Sequence, residues 1–268
     1  MSHGPWLSLS AALCAGVGAL TIVGWWSQWD GWRRLARVGG VLGVAAAAAL
    51  WVARFVEVGH LPLFGTFEAG LSLALCVLGV AAVLELSFPD GVGGMPVALM
   101  TAAAVLIHAG RYSRATWALT ISERSVWAEL HGIAAWLAFG LFASSFAYAV
   151  RVLVRADGGA DARWLPRLLH WGFVLQSTMM ALGSFYKFLL FGRTWSFDPI
   201  ESLAVVAWAS YATIIHLRYF AGWRGEKLAA WAVLGFLLLV LSYKGVLYFP
   251  SWSTYHILDV DLRLHIPG

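Results

Sequence analysis

Eight apolar runs, each near the length of a membrane-spanning helix, constrain the fold of this chain more than any other feature. They cover residues 6–27, 38–57, 67–87, 94–110, 127–150, 168–189, 200–217 and 228–248, and the fourth is the shortest. A helix needs about 20 mostly apolar residues to cross a hydrocarbon core of about 30 Å. Of the 268 residues, 60% are hydrophobic and only 12% are charged, with a mean hydropathy of +0.75. We therefore expect an all-α, polytopic membrane protein with about eight transmembrane helices, forming a single integral membrane domain over residues 1–268.

The distribution of Lys and Arg predicts the orientation in the lipid bilayer. With the N-terminus outside, the inner connectors carry ten of the 18 basic residues, namely Arg33, Arg34, Arg37, Arg151, Arg155, Arg163, Arg167, Arg218, Arg224 and Lys227. Basic residues concentrate on the inner side of membrane proteins. The sequence therefore predicts both termini on the outer side of a bacterial inner membrane or an equivalent one. Because no Lys or Arg precedes Arg33, we interpret the first run as a retained helix and not a cleaved signal peptide. The net charge of +4 then reflects topology, and we expect no nucleic-acid partner.

The connector between the sixth and seventh runs gathers rings and charges in a short span. It reads Phe191-Gly-Arg-Thr-Trp-Ser-Phe-Asp-Pro-Ile-Glu-Ser202. Aromatic residues collect at membrane interfaces whatever the function, but such a belt does not explain their coupling to acids. Rings and charges together between two membrane spans indicate a site. For Asp198 and Glu201 themselves, capping of the helix that begins near Pro199 is the favoured interpretation, ahead of a role in proton transfer.

Two of the eight histidines suggest what this site binds. We interpret His3, His108, His170 and His265 as structural, whereas His131 and His256 lie beside outer helix ends on either side of the aromatic connector in sequence. Paired neutral imidazoles across an apolar ring suit haem iron. Aromatic rings would stack on the porphyrin, and Arg193 would pair with a propionate. A quinone or a lipid-linked substrate stays open as an alternative at this point.

Four stretches resemble the CcsA (ResC) cytochrome c assembly proteins. Residues 183–208 resemble the tryptophan-rich WWD signature of that family, with matches at Gly183, Gly192, Trp195, Asp198, Pro199 and Glu201. Gly59-His-Leu-Pro-Leu-Phe-Gly-Thr-Phe-Glu68 is similar to its G-H-F-P-L-S-N-L-Y-E stretch, Trp127-Ala-Glu-Leu-His131 to its W-L-x-x-H helix start, and Gly222-Trp-Arg-Gly225 to its G-W-R-G loop. Together they cover residues 55–258, and His60 and Glu68 join the candidate site through the second of them.

The resemblance implies a haem-handling subunit of the System II cytochrome c synthase, and so a subunit of a haem lyase. Such a protein moves haem b outward and presents it to apocytochrome c, which carries a C-x-x-C-H segment, together with a CcsB (ResB) partner. By position, His131 and His256 would be the outer axial ligands of the iron. Trp195 with Phe191 and Phe197 would form the porphyrin shelf, and His216 would bind haem transiently on the inward part of its helix.

Several positions depart from the family pattern. Where the family usually has tryptophan, this chain has Tyr186, Phe191, Phe197 and Leu203. A phenylalanine still stacks, but Leu203 does not, and the indole N–H donors are lost. These departures keep open a second reading, a HemX- or YpjD-like protein that binds haem, regulates its synthesis or scaffolds a complex without catalysing attachment.

Overall fold

The computed structural model describes residues 3–27, 29–87, 94–116, 119, 123–155 and 164–244. Within these residues the chain forms eight α-helices and no strand. They are α1 His3–Trp26, α2 Trp32–Val58, α3 Thr66–Ser87, α4 Met95–Ala109, α5 Val126–Arg155, α6 Trp164–Phe191, α7 Pro199–Tyr219 and α8 Gly225–Lys244. By length and composition seven of them are able to cross a membrane, and α4, with 15 residues, is the short exception. The predictions of an all-α membrane fold and of a short fourth run are confirmed.

The helices pack as two groups joined through α5. In the first group α1 contacts α2 and α4, and α3 contacts α2 and α4; in the second, α7 packs against α6 and α8. Helix α5 contacts α3 on one side and α6 and α8 on the other. Small residues dominate several of these contacts, and α4 for example buries Ala98, Ala102 and Ala103. Lipid is as apolar as the protein interior, so helices in a membrane associate by close packing of such residues.

Three connectors lie together at one end of the bundle, which we call the site end. They are residues 59–65, between α2 and α3, the described part of the connector between α4 and α5, which is residues 110–116, 119 and 123–125, and residues 192–198, between α6 and α7. Local geometry ends each preceding helix or begins the next: α2 stops at Gly59, with φ 74°, and α7 starts after Asp198 with Pro199 in its first turn. The fold therefore gathers the predicted site residues of α3, α5, α6 and the 192–198 connector near one surface, while His216 lies at the other end of α7.

Candidate functional site

The 192–198 connector is short and tightly constrained. Gly192 ends α6 with φ 66°, and its N–H donates to the carbonyl of Phe188 at 2.9 Å. Phe197 also has a left-handed backbone, with φ 57°, the only positive φ at a non-glycine among the described residues. A bulky residue in this region costs about 1–3 kcal/mol and persists only where neighbouring contacts enforce it. The connector must therefore be held from both sides.

A polar cluster at the base of the connector supplies that constraint. The Lys187 ammonium forms an ion pair with the Glu201 carboxylate and donates to the Ser196 hydroxyl. The other carboxylate oxygen of Glu201 accepts from the Ser196 N–H at 3.0 Å. The cluster thus joins the last turns of α6, the connector and the first turn of α7. Sequence reasoning missed Lys187, although a charge inside the apolar run 168–189 is the signal that marks such a residue.

Asp198 acts as the N-cap of α7. Its Oδ1 accepts from the N–H of Ile200 at 2.8 Å, and its carbonyl accepts from the N–H of Ser202 at 2.8 Å. The side chain is buried, and these hydrogen bonds show that it caps the first turn of α7. Glu201 departs from the usual capping box, since its carboxylate reaches back to Ser196 and not to the N-cap residue.

Two of the three rings that we expected to form a porphyrin shelf are exposed. Phe197 is 83% exposed and Phe191 52% exposed, while Trp195 is half-buried. The rings of Trp195 and Phe197 meet edge to face, with centroids 6.3 Å apart and planes at 88°. Arg193 is exposed and lies between Phe191 and Trp195 in sequence. Apolar rings beside one exposed cation match the two halves of a porphyrin, its flat face and its carboxylates.

His131 lies in the second turn of α5 and faces α6. Its Nδ1 is 2.8 Å from the carbonyl oxygen of Met179. Because a carbonyl can only accept, Nδ1 is the protonated nitrogen, and in the neutral ring Nε2 carries the lone pair. Near His131, Trp127 meets Phe185 of α6 edge to face at 4.9 Å. The aromatic surface at the site end therefore includes rings of α5 and α6 as well as those of the connector.

Glu68, in the first turn of α3, binds a buried arginine. Arg54 of α2 is 0% exposed, and its Nε and one terminal nitrogen donate to Oε1 of Glu68 at 3.0 and 2.5 Å. The same guanidinium donates to Glu57 at 2.8 Å and to the carbonyls of Arg114 and Ala115 at 2.9 and 3.1 Å. We call this set the Arg54 hub. Glu68 is thus engaged in structure, and Arg54, a charge within the run 38–57, is the residue that the sequence reasoning passed over.

The 59–65 connector lies beside His131. His60 donates from Nδ1 to the adjacent Leu61 carbonyl at 3.0 Å. The Pro62 carbonyl accepts from the Ser72 hydroxyl at 2.5 Å. Leu63 lies 3.7 Å from where a Cβ would stand on Gly132, the residue after His131. The structure therefore brings the His60 connector close to α5, without a contact between the two imidazoles in the described residues.

His216 occupies the opposite end of α7 from Asp198. It is exposed in the last turn, where its ring stacks on Phe220 with centroids 4.1 Å apart and planes at 20°. The distance along the helix from Ser202 is about 21 Å at 1.5 Å per residue. The side chain is therefore not a buried core histidine. His256 lies outside the described residues.

Metal-binding clusters give no competing site within the described ranges. No group of three or more His, Cys, Asp or Glu side chains is placed there to hold a bare metal ion. A haem asks the protein for only one or two axial nitrogens, together with an apolar surface. The donor set at the site end fits that simpler requirement.

The sequence and fold match proteins of cytochrome c biogenesis. The model of the cytochrome C assembly protein family matches residues 67–252. The protein CcsA of Prochlorococcus marinus strain MIT 9301 is 34% identical over 111 residues, which are 40% of this chain and 36% of that protein. CcsA of Cyanophora paradoxa is 36% identical over 80 residues, covering 30% and 25% of the two chains. The alignments thus span about a third of the length of the first relative and a quarter of the length of the second.

A solved structure has the same fold. The cytochrome c haem lyase CcmF superposes with a TM-score of 0.69 at 15% identity, over 99% of this chain and 52% of that one. At this identity the likeness concerns the fold alone. The family match, by contrast, extends over more than half of the chain. As the resemblance to CcsA proteins predicted, the chain belongs to the cytochrome c assembly protein family.

Proposed function

We propose that this chain is a haem-handling subunit of a cytochrome c synthase. Its substrate is haem b, which it moves outward and presents to apocytochrome c with a CcsB/ResB-like partner. The family membership supports the process, and the observation that carries the haem step is the arrangement at the site end. There a histidine held by a backbone carbonyl lies at the same end of the bundle as a constrained connector with exposed rings.

We assign each residue a role according to its position. His131 offers Nε2 to the iron, and His256 is proposed as the second axial ligand. Phe191, Trp195 and Phe197 support the porphyrin face, and Arg193 pairs with a propionate. Asp198 keeps the shelf in place by fixing the start of α7.

Positioning accounts for the attachment step. Each cysteine S–H of the C-x-x-C-H segment adds across one vinyl C=C bond: sulfur bonds the carbon next to the ring, and the proton goes to the terminal carbon. The addition consumes neither oxidant nor reductant. The histidine of the segment then replaces one protein imidazole on the iron, which releases the product.

His216 is assigned to haem uptake. Its exposed ring lies at the far end of α7, on the side predicted to face inward. An ionisable side chain on a membrane helix is costly, so a role for it is expected. Haem would then pass from an inner station to the outer shelf.

The test is to purify the chain in detergent and to co-express it with a CcsB/ResB-like partner and a cytochrome c reporter in cells lacking their own maturation system. We expect a haem absorption spectrum in the purified chain and covalent haem on the reporter. His131→Gly should lower the haem-to-protein ratio, and added imidazole should restore it. His170→Gly is the matched control, since it puts the same residue change at an exposed α6 position away from the site end.

The outcomes distinguish a cytochrome c synthase subunit from a haem-binding protein that does not catalyse attachment. Haem binding without attachment to the reporter would favour the HemX- or YpjD-like alternative, which the substituted tryptophan positions keep open. A purified chain with no haem under any condition would overturn the proposal.

A further inference from the structure

We propose that Gly183 and the carbonyl of Met179 form a socket on α6 that orients the imidazole of His131 and fixes which of its nitrogens is offered to a ligand. The inference rests on the proposed function, because it explains how the proposed iron ligand is held. It also gives a physical role to the first glycine of the WWD-like segment 183–208.

The first observation is the space that Gly183 leaves. A Cβ at this position would lie 2.8 Å from both Cε1 and Nδ1 of His131 and 3.9 Å from its Cγ. Non-bonded carbon atoms prefer separations of about 3.5–4.0 Å, so a methyl group and this ring cannot share the space. The Nδ1–Cε1 edge of the imidazole therefore rests directly on the backbone of α6.

The second observation is the hydrogen bond from the same edge. Nδ1 of His131 donates to the carbonyl of Met179, with 2.8 Å between nitrogen and oxygen. In an α-helix this carbonyl is also the acceptor for the N–H four residues later, which belongs to Gly183. A carbonyl oxygen has two lone pairs and can accept both bonds.

Both observations depend on the missing side chain of Gly183. Cα–Cβ bonds in a helix tilt toward its N-terminus, so a side chain at position 183 would lie over the turn that contains the Met179 carbonyl. Glycine leaves this carbonyl accessible from the side. The absence of a Cβ both admits the ring and exposes the oxygen that it binds.

The consequence is a fixed tautomer. With the proton on Nδ1 and directed at a backbone oxygen, Nε2 carries the lone pair of the neutral ring. Hydrogen bonds of this kind orient histidine ligands and raise their basicity, and their loss typically weakens metal binding about 10–100-fold. Gly183 and Met179 are therefore positioning residues that act through His131.

The test is Gly183→Ala in the full chain, with Gly79→Ala as the matched control. Gly79 lies inside α3, and a Cβ there would meet nothing within 4 Å. We expect Gly183→Ala to weaken haem binding at least about tenfold and to shift the absorption spectrum, with millimolar imidazole restoring occupancy. Gly79→Ala should behave as wild type. Damage that is only structural would not respond to imidazole.

A readout without haem separates this inference from the proposed function. The ¹⁵N NMR shifts of histidine-labelled protein report the tautomer of His131, assigned through His131→Gly. The inference predicts Nδ1–H in the wild type and a change in Gly183→Ala. An Nε2–H tautomer in the wild type, or unaltered tautomer and haem affinity in Gly183→Ala, would overturn the socket. A wild-type chain that binds no haem but keeps the predicted tautomer would overturn only the proposed function.

Discussion

Replacing Arg54 by Met should destabilise the protein by about 3–5 kcal/mol, the range for breaking a buried ion pair from one side. The guanidinium is 0% exposed and Glu68 6% exposed, so the remaining carboxylate has little access to water. Two backbone carbonyls, of Arg114 and Ala115, lose a donor in the same step. Each of these orphaned acceptors adds a cost of about 1–3 kcal/mol where it stays buried, so the upper part of the range is expected.

The measurement is reversible unfolding of the purified protein in mixed detergent, titrated with a denaturing detergent. Arg34→Met, at an exposed position of the same helix, is the control and should change the free energy of unfolding by less than about 0.5 kcal/mol. In Arg54→Met/Glu68→Met the second substitution removes the buried charge, so the double variant should be more stable than Arg54→Met alone. If Arg54→Met matches Arg34→Met, or the double variant shows the sum of the two single losses, the hub does not stabilise the fold as argued.

Three further outcomes follow from the site end and from α7. Asp198→Ala should lower the free energy of unfolding by about 1 kcal/mol, whereas Asp198→Asn should change it little, because asparagine caps a helix as well as aspartate does. If Asp198→Asn is stable but no longer supports cytochrome c attachment, the carboxylate has a chemical role. In Thr194→Cys the exposed new thiol should react with an impermeant reagent added outside intact cells, whereas in Ala221→Cys it should react only after lysis. The reverse pattern would contradict the predicted orientation. His216→Ala should lower the haem-to-protein ratio at the proposed site, with normal yield and thermal stability because its ring is exposed. A normal ratio would contradict the proposed role of His216 in haem uptake.

The helices could be predicted from the sequence because each contains a long apolar run, a signal that does not depend on helical periodicity. The bounds of α3 differ from the predicted run by one residue at its start, and α6 extends beyond its run at both ends. Such extensions consist of residues like Trp164 and Arg167, which are suited to the interface and not to the apolar core. Composition therefore marks the part of a helix in lipid better than it marks the helix ends.

The roles within the site were harder to predict, since they depend on contacts between distant positions. The segment near His131 and the connector were identifiable by residue type, and the capping of α7 followed from the sequence Asp198-Pro199. No local pattern predicts that the ring of His131 rests on Gly183, because the contact joins two helices. Arg54 and Lys187 each carried a detectable signal, a charge in an apolar run, but their partners are set by packing alone.

Helix α4 is shorter than the full thickness of a hydrocarbon core, and this constrains how its ends meet the lipid. Its 15 residues rise about 22 Å, against a hydrocarbon thickness of about 30 Å. Irregular backbone that follows so short a helix is stable at membrane depth only where protein satisfies its polar groups. Arg54 donates to two carbonyls of this segment, so one buried side chain supplies what water provides elsewhere. A helix of this length crosses a bilayer only where the bilayer thins or where protein satisfies the polar backbone at the helix ends, and the Arg54 hub supplies the second of these at the end of α4.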